Sequence, residues 1–335
     1  MAQAPFRCYL VTRDEQKKVQ RAITEQPLDA LPEGDVLIRV AYSSLNYKDG
    51  LGATGHPGVA RNFPHVPGID AAGTVEQSDD PRHKPGDPVL VTGFDQGAGR
   101  WGGYSQYVRA PADWVVPLPA GLSLRDSMLF GTAGLTAAMS VEALRHHDVL
   151  PESGPVLVTG ASGGVGCIAV AILAHLGYEV VAASGKADAE SWLRELGARE
   201  IVGRDAVRDD SGRPLLSSRW AGAVDTVGGD ILATVLRTTN TGGCVTACGM
   251  VAGNDLNVSV FPFILRGVSL IGIDSATYSL ERRTALWNQM AGDWRPQDLE
   301  KVHTATVPLD GLDEQIEKIL AGGIRGRVVV EIGDA

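Results

Sequence analysis

The chain carries two successive patterns of hydrophobic and polar positions. Over about the first 120 residues, short apolar runs such as Val36–Val40 and Pro88–Val91 are separated by turn residues rich in Gly and Pro. From about residue 155 onward, strand-like runs alternate with helical spacing, beginning with Val156–Val158 and the apolar face of Val165–Leu176. These patterns predict α/β architecture: a compact, mostly β domain and a domain with a doubly wound parallel sheet.

Further elements extend this prediction. Ser123 stands three residues before Asp126, which predicts a capped helix with an acidic first turn, and a second helical stretch follows at Thr132–Arg145. A helix is also expected at Asp188–Leu196, closed by Gly197. The remaining strands of the parallel sheet are expected at Glu179–Ala183, Glu200–Val202, Ala223–Asp225, Cys244–Ala247 and Ser269–Ile273.

The tail from about residue 274 changes character once more. Helical patterns at Leu280–Met290 and Leu312–Ala321 precede a terminal strand-like run, Gly326–Glu331. We expect this strand to rejoin the N-terminal β domain, which makes that domain discontinuous. The predicted domains are therefore 1–122 with 274–335, and 123–273.

Composition narrows the function. A chain of 335 residues with 44% hydrophobic residues suits two globular domains, and a net charge of −10 argues against a nucleic-acid partner. We find no apolar run near the roughly 18–20 residues that cross a bilayer, so no membrane contact is expected. The N-terminus lacks the pattern of a secretory signal, which predicts a cytoplasmic protein. The scattered cysteines are expected to be buried, reduced thiols: Cys8, Cys167, Cys244 and Cys248.

The Gly-rich string Thr159–Gly166 lies between a strand-like run and an amphipathic helix, the context in which such a string indicates a dinucleotide site rather than a structural turn. Glycines let the backbone turn sharply and approach a pyrophosphate. Backbone N–H groups at the start of the helix then meet the phosphate charge. The string therefore predicts a nicotinamide cofactor.

The end of the second strand indicates which nicotinamide cofactor binds. A carboxylate there usually accepts from the ribose 2′-OH of NAD, whereas this chain has Ser184, Gly185 and Lys186. A hydroxyl and an ammonium suit the extra phosphate of NADPH, and Arg204 follows the third strand as a second cation for the same end. The alternative is that Lys186 and Arg204 are solvated surface charges.

Several strings together are similar to one known family. They are Ser43–Asp49, Arg61–Pro64, Pro67–Asp70, Trp101–Gly103, Gly131–Gly134, Thr159–Gly166, Trp220–Gly228, Gly242–Val245 and Pro262–Arg266. The chain resembles the medium-chain dehydrogenase/reductase superfamily over essentially its whole length. Within that superfamily the strings resemble the acryloyl-CoA reductase branch of the zinc-free, quinone-oxidoreductase-like proteins.

Zinc alcohol dehydrogenases of that superfamily use an early Cys, a His in a Gly-His-Glu motif and a later Cys. The corresponding strings here, Leu45–Asp49 and Pro67–Asp70, contain neither residue type, and no cysteine lies between Cys8 and Cys167. Because a catalytic zinc usually needs three protein ligands, no metal is expected. Without that Lewis acid, hydride addition to an activated C=C bond is the natural reaction of bound NADPH.

The resemblance implies a GroES-like catalytic domain beside the Rossmann domain, a homodimer, and reduction of a short enoyl-CoA, most closely acryloyl-CoA to propionyl-CoA. Carried over by position, it puts Tyr47 beside the nicotinamide. It assigns the pyrophosphate to Ser162, Gly163, Gly164 and Val165, the adenosine phosphate end to Ser184, Gly185, Lys186 and Arg204, and the rest of the cofactor pocket to Met250, Ile264, Ser275 and Arg327.

Some roles stay open at this point. Tyr47 either donates to the substrate as a proton donor or carbonyl-orienting group, or only packs against the cofactor. Asn46 and Asp49 are expected to fix the loop through backbone hydrogen bonds. The alternative function is an NADPH:quinone or general enone reductase on the same scaffold, and a third reading is an inactive NADPH-binding protein. The candidates for a basic rim around coenzyme A are Arg61, Arg266, Arg282, Arg283 and Arg325.

Overall fold

The computed structural model describes residues 5–333, so the expectation about the extreme N-terminus lies outside the described residues. The chain forms two compact units. Unit 1 contains the chain up to Thr132, Ser275–Ala291 and the chain from His303 onward; unit 2 contains Ala133–Asp274 and Gly292–Val302. The predicted domain ranges, 1–122 with 274–335 and 123–273, stay predictions about independently folding parts.

The strands, in chain order, are β1 (Phe6–Arg13), β2 (Val19–Gln26), β3 (Val36–Ser44), β4 (Asp70–Ser78), β5 (Pro88–Thr92), β6 (Tyr107–Ala110), β7 (Val116–Pro117), β8 (Val156–Val158), β9 (Val180–Ala183), β10 (Glu200–Val202), β11 (Trp220–Asp225), β12 (Thr239–Ala247), β13 (Ser269–Gly272), β14 (His303–Pro308) and β15 (Arg327–Glu331). The α-helices are α1 (Tyr47–Ala53), α2 (Leu124–His146), α3 (Gly164–His175), α4 (Glu190–Glu195), α5 (Gly229–Thr238), α6 (Phe261–Arg266), α7 (Leu280–Ala291) and α8 (Leu312–Leu320).

Unit 1 is built on a seven-stranded sheet in the order β14-β15-β3-β4-β5-β7, with β6 also paired to β3. The terminal strand β15 pairs antiparallel with β3, Val330 opposite Ser43, so the expected return of the chain to the N-terminal strands is confirmed. Apolar residues of β3 and β15, among them Val36, Ile38 and Val330, form the buried core of this unit. β1 and β2 form a separate antiparallel hairpin.

Unit 2 is built on a six-stranded parallel sheet in the order β10-β9-β8-β11-β12-β13. The strand order reverses direction at β8, which is the doubly wound arrangement that places a ligand-binding crevice at the carboxyl ends of the strands. The predicted Rossmann sheet is therefore confirmed. Val156–Val158 is buried along its whole length, as expected for a central parallel strand.

α2 corrects the expectation that no apolar run in the chain approaches the length that crosses a bilayer. Leu124–His146 has a stretch of mean hydropathy 1.2, long and apolar enough by length and composition to cross a membrane. However, 83% of that stretch is buried within the protein, as in the core helix of a globular protein. Gly131, at φ 54° and ψ −157°, interrupts the helical geometry and separates the two helical stretches that the sequence predicted. The predicted cap is also present, because the Asp126 amide donates to Ser123 Oγ at 3.0 Å.

Gly131 lies close to three buried polar side chains of unit 1. A Cβ at this residue would lie 2.5 Å from Asp70 Oδ2, 2.7 Å from Ser44 Oγ and 3.0 Å from Arg327 Nη2, and the positive φ disfavours any side chain. Gly131→Ala should therefore lower the free energy of unfolding by about 3 kcal/mol or more, since buried polar groups must separate.

Gly86→Ala is the matched control, because Gly86 has φ +92° but no atom within 4 Å of an added Cβ. It should cost only about 1 kcal/mol. Urea unfolding of both variants measures the difference. Equal losses would show that the space beside Asp70 is not limiting.

Candidate active site

The Gly-rich string forms a turn between β8 and α3 in unit 2. Gly163 is the N-cap of α3, with φ −82° and ψ 175°, and the helix starts at Gly164. The first amides of an α-helix have no acceptor within the helix, so Gly164, Val165 and Gly166 present N–H groups at its positive end. This is the geometry that binds a phosphate, and we call the segment Thr159–Gly166 the cradle.

Glycines in the cradle are required by close backbone contacts. Gly160 has φ +58°, and a Cβ there would meet Thr226 Oγ1 and lie 3.0 Å from Val227 Cγ1. A Cβ on Gly166 would lie 2.7 Å from Ala161 Cα. The turn can therefore adopt this shape only if neither position carries a side chain, and this requirement explains the glycines at both.

A buried carboxylate fastens the cradle to the loop that follows β11. Asp225 accepts a hydrogen bond from Thr159 Oγ1 at 2.7 Å and one from the Gly228 amide at 2.7 Å. Thr226 adds two bonds, from its amide to Thr159 Oγ1 at 3.0 Å and from its hydroxyl to the Thr159 carbonyl at 2.8 Å. Burial raises the pKa of Asp225. Sequence reasoning gave this residue no role beyond its strand.

The predicted adenosine phosphate residues come together at the end of β9. Ser184 Oγ donates to Ser162 Oγ at 3.1 Å and accepts from the Lys186 amide at 3.1 Å. The side chain of Arg204 lies against Gly185, so close that a Cβ on Gly185 would be 2.6 Å from its guanidinium carbon. A guanidinium beside this strand end, with no carboxylate in Ser184–Lys186, fits a phosphate better than a ribose hydroxyl.

Met250 and Ile264, which were also predicted to line the cofactor pocket, are largely exposed to solvent. Their side chains are 71% and 68% exposed, Met250 in the loop after β12 and Ile264 in α6. Their predicted contacts with a cofactor, like those of the cradle residues, stay predictions.

Unit 1 contributes a second cluster, at the start of α1. Asn46 caps this helix, and its amide donates to Asp49 Oδ2 at 2.8 Å in a capping box. The other oxygen of Asp49 accepts from the amides of Gly68 and Ile69 at 3.1 and 2.8 Å. Burial, with a further contribution from the nearby Asp70, raises the pKa of Asp49 to about 7. The expectation that Asn46 and Asp49 fix this loop is therefore confirmed.

Asp70 is the centre of the unit 1 cluster and was missed from sequence. It is fully buried at the start of β4 and accepts from Ser44 Oγ at 2.5 Å, Asn46 Nδ2 at 2.8 Å and Thr132 Oγ1 at 2.6 Å. The only sequence signal for it is an acidic residue next to the apolar positions of a buried strand, Ala71 and Ala72, in the string Pro67–Asp70.

Arg327 lies on β15 and completes this cluster. Its guanidinium donates to Ser44 Oγ at 2.8 Å, Asn46 Oδ1 at 3.2 Å, and the carbonyls of Leu129 and Leu45 at 3.0 and 3.2 Å. The side chain is 2% exposed. Its observed contacts thus hold the start of α1, while the predicted contact with a cofactor stays a prediction.

Tyr47 is the first residue of α1, immediately after the capping residue. Its side chain is 45% exposed, and its phenol has no hydrogen bond to any of the residues 5–333. A phenol on a rigidly capped helix start is available to donate to a ligand. Ser275, also in unit 1, has its carbonyl occupied by Arg283 Nη2 at 2.9 Å.

The predicted basic rim is only partly available. Arg283 is fully buried, donating to the Thr92 carbonyl at 2.6 Å, so it was wrong to count it as a coenzyme A ligand. Arg266 is directed to the carbonyls of Arg237 and Thr239 at 3.0 and 3.1 Å. Arg61 pairs with Asp95 on the surface. Net charge and residue counts cannot distinguish an arginine that binds its own backbone from one that meets solvent.

Comparison with known families decides which fold and lineage these two clusters belong to. Residues 32–120 match the alcohol dehydrogenase GroES-like domain, and residues 164–291 match the zinc-binding dehydrogenase family. Acrylyl-CoA reductase AcuI of Ruegeria pomeroyi is 48% identical over 330 residues, which cover 98% of this chain and 99% of that protein. The chain belongs to the acrylyl-CoA reductase branch of the medium-chain dehydrogenase/reductase superfamily. The predicted GroES-like and Rossmann parts are thereby confirmed.

Two solved structures are similar to the chain over nearly its whole length. Escherichia coli YhdH with bound NADPH superimposes with a TM-score of 0.93 at 43% identity, covering 99% of this chain and 100% of that one. Bacillus subtilis YhfP, named among the quinone oxidoreductases, is 46% identical over 302 residues, which are 90% of this chain and 92% of that protein. Its structure with NAD bound gives a TM-score of 0.96 over 98% of this chain and 100% of that one.

Members of the superfamily matched here include zinc-binding dehydrogenases. Within residues 5–333, no group of three or more His, Cys, Asp or Glu side chains is arranged to hold a metal ion. His65 is buried with Nε2 3.1 Å from the Gly97 carbonyl, and burial lowers its pKa to about 4, which indicates a structural histidine. The expectation of a zinc-free site stays a prediction for metal analysis of the purified protein.

Proposed function

We propose that this protein is an NADPH-dependent reductase of the C=C bond of a short enoyl-CoA thioester, with acryloyl-CoA reduced to propionyl-CoA as its main reaction. The observation that carries the proposal is the donor set at the end of β9, in a chain of the acrylyl-CoA reductase branch. Lys186 and Arg204 are cationic residues beside a strand end that carries no carboxylate, where NAD-preferring folds have one, and cations there suit a 2′-phosphate.

In this reaction the residues of unit 2 are assigned to the cofactor. The amides of Gly164, Val165 and Gly166 hold the pyrophosphate at the positive end of α3, which fixes the cofactor without a side-chain charge. When bound, NADPH supplies the hydride that adds to the β-carbon of the enoyl group. Thr159 and Asp225 keep the cradle in shape through their 2.7 Å hydrogen bond.

Tyr47 is assigned to the substrate carbonyl in this proposal. Its exposed phenol donates a hydrogen bond to the thioester oxygen, where negative charge develops as the hydride adds. The capping box of Asn46 and Asp49 and the guanidinium of Arg327 hold the helix start that carries it. Pre-organisation of this kind is what makes a single hydrogen bond effective in catalysis.

Steady-state kinetics with a panel of acceptors test the function. With NADPH, acryloyl-CoA should be reduced with kcat/KM about tenfold or more above that for a simple quinone or a free enone, because only the thioester gains from coenzyme A binding. Comparable efficiency with quinones would favour the alternative function. Absence of NADPH oxidation with every acceptor would favour an inactive binding protein.

Tyr47→Phe belongs to the same experiment, with Tyr107→Phe as the control because Tyr107 lies outside α1, on β6, where it pairs with Arg39 of β3. Loss of a donor to the developing charge should lower kcat for acryloyl-CoA by about 10²-fold while NADPH affinity changes little. An unchanged kcat with weakened cofactor binding would instead show that Tyr47 only packs against the cofactor.

We also propose that the protein is a cytoplasmic homodimer, formed through unit 2. Among residues 5–333, β13 pairs with β12 alone, which makes it an edge strand of the six-stranded sheet. The preceding helix α6 exposes large apolar side chains, Ile264 at 68% and Leu265 at 60%. Edge strands with unpaired backbone groups and adjacent apolar surface pair readily with a second chain.

Sedimentation analysis tests the dimer. The native chain should sediment at twice its 35.3 kDa mass at micromolar concentration, and Leu265→Glu should shift it toward the monomer by placing a charge in the apolar surface. A native mass of 35.3 kDa at every concentration would contradict the proposal.

A further inference from the structure

Gly185 lies underneath the side chain of Arg204. An added Cβ on Gly185 would fall 2.6 Å from Cζ and 3.0 Å from Cδ of Arg204, and would also meet Nε. These separations are well inside van der Waals contact. The guanidinium therefore occupies the space that any side chain at position 185 would need.

Within residues 5–333, Arg204 has no hydrogen-bond or ion-pair partner that would direct its side chain elsewhere. It begins the short 3-10 turn Arg204–Val207 after β10, and it makes no hydrogen bond or ion pair with any residue from 5 to 333. Its guanidinium instead lies back across the turn that follows β9. The five N–H donors of this guanidinium thus lie beside Gly185 without being used within the described residues.

We propose that Gly185 is a specificity-determining residue for NADPH. Because it lacks a side chain, Arg204 can lie across the end of β9, where its guanidinium binds the 2′-phosphate that NADH lacks. The proposal rests on the proposed function for the identity of the cofactor. It assigns the selectivity to a packing relation between Gly185 and Arg204 rather than to the presence of a cation alone.

The contact between Gly185 and Arg204 can be removed by substitution at Gly185 without disrupting the fold. Gly185 is exposed and its φ is outside the left-handed region, so alanine adopts the same backbone. The atoms in the way are the end of a flexible surface side chain, which moves to another rotamer at small cost. Gly185→Ala should therefore displace Arg204 and leave the stability of unit 2 close to native.

A glycine at this position has a second physical explanation, namely that the nucleotide itself approaches the backbone here. In that case the methyl group of alanine would weaken binding of NADPH and NADH alike, whether or not Arg204 is present. A double-mutant cycle separates the two explanations, because coupled residues give non-additive losses and independent residues give additive ones.

The experiment is calorimetric titration of NADPH and NADH into five proteins: the native chain, Gly185→Ala, Arg204→Ala, the double variant and Gly203→Ala. Gly203→Ala is the matched control, since it adds the same methyl group one residue before Arg204, where no atom lies within 4 Å. Thermal unfolding of each variant verifies that the fold is retained.

We expect Gly185→Ala and Arg204→Ala each to raise the Kd for NADPH about tenfold or more, with the Kd for NADH changed less than about twofold, because a charge-assisted contact to phosphate is lost. The double variant should bind NADPH no more weakly than Arg204→Ala, and Gly203→Ala should bind as the native chain does. Unchanged NADPH affinity in Gly185→Ala, or multiplied losses in the double variant, would overturn the proposal.

These binding measurements are independent of turnover. A native chain that prefers NADPH but reduces no enoyl-CoA would refute the proposed function and leave the role of Gly185 intact. A native chain that binds NADPH and NADH equally would refute the role of Gly185, and acryloyl-CoA reduction would still decide the function.

Discussion

The candidate cofactor site of unit 2 depends on how closely two loops approach each other, the cradle after β8 and the loop after β11. Gly160 faces the side chain of Thr226 at a distance that excludes a Cβ. Asp225 and Thr159 then fasten the two loops with a 2.7 Å hydrogen bond. This contact positions the open amides at the start of α3, which are the backbone donors that the proposed function assigns to the pyrophosphate.

In unit 1, a glycine likewise allows polar groups to approach closely around Asp70. The absence of a side chain at Gly131 admits the carboxylate of Asp70, the hydroxyl of Ser44 and the guanidinium of Arg327 to one small space. These groups satisfy one another, which a buried polar cluster must do to be stable. Together these contacts fix the start of α1, and this fixes the position of Tyr47, the first residue of the helix. In both units, a glycine without a side chain, Gly160 or Gly131, leaves the space that a neighbouring polar group occupies.

Much of this architecture follows from sequence, and the omissions have physical reasons. The parallel strands of unit 2 and the return of β15 were predicted from apolar runs, and the cradle from its glycines, whereas β1, β2, β6, β7 and β14 were not predicted. The seven-residue helix α1 was not predicted, because Gly50 and Gly52 lower its helical propensity and a capping box with long-range bonds to Gly68 and Ile69 stabilises it instead.

Long-range partners explain the other differences. The role of Asp70 arises from contacts with Ser44 and Thr132, which are distant in sequence. The burial of Arg283 beside Thr92 has the same origin, since the partners are 191 positions apart in sequence. The apolar length of α2 suggests a membrane segment until its burial is known. Local patterns specify elements, whereas pairing across the fold specifies which polar side chains are left for a ligand.

Hydride transfer from NADPH to carbon without a metal is tested most directly by isotope tracing in chelator-treated protein. With NADPH deuterated at both C4 positions and acryloyl-CoA as acceptor, we expect propionyl-CoA carrying one deuterium at the β-carbon, at a zinc content far below one per chain. Product without deuterium, or activity that is lost on chelation and restored by zinc, would contradict this account.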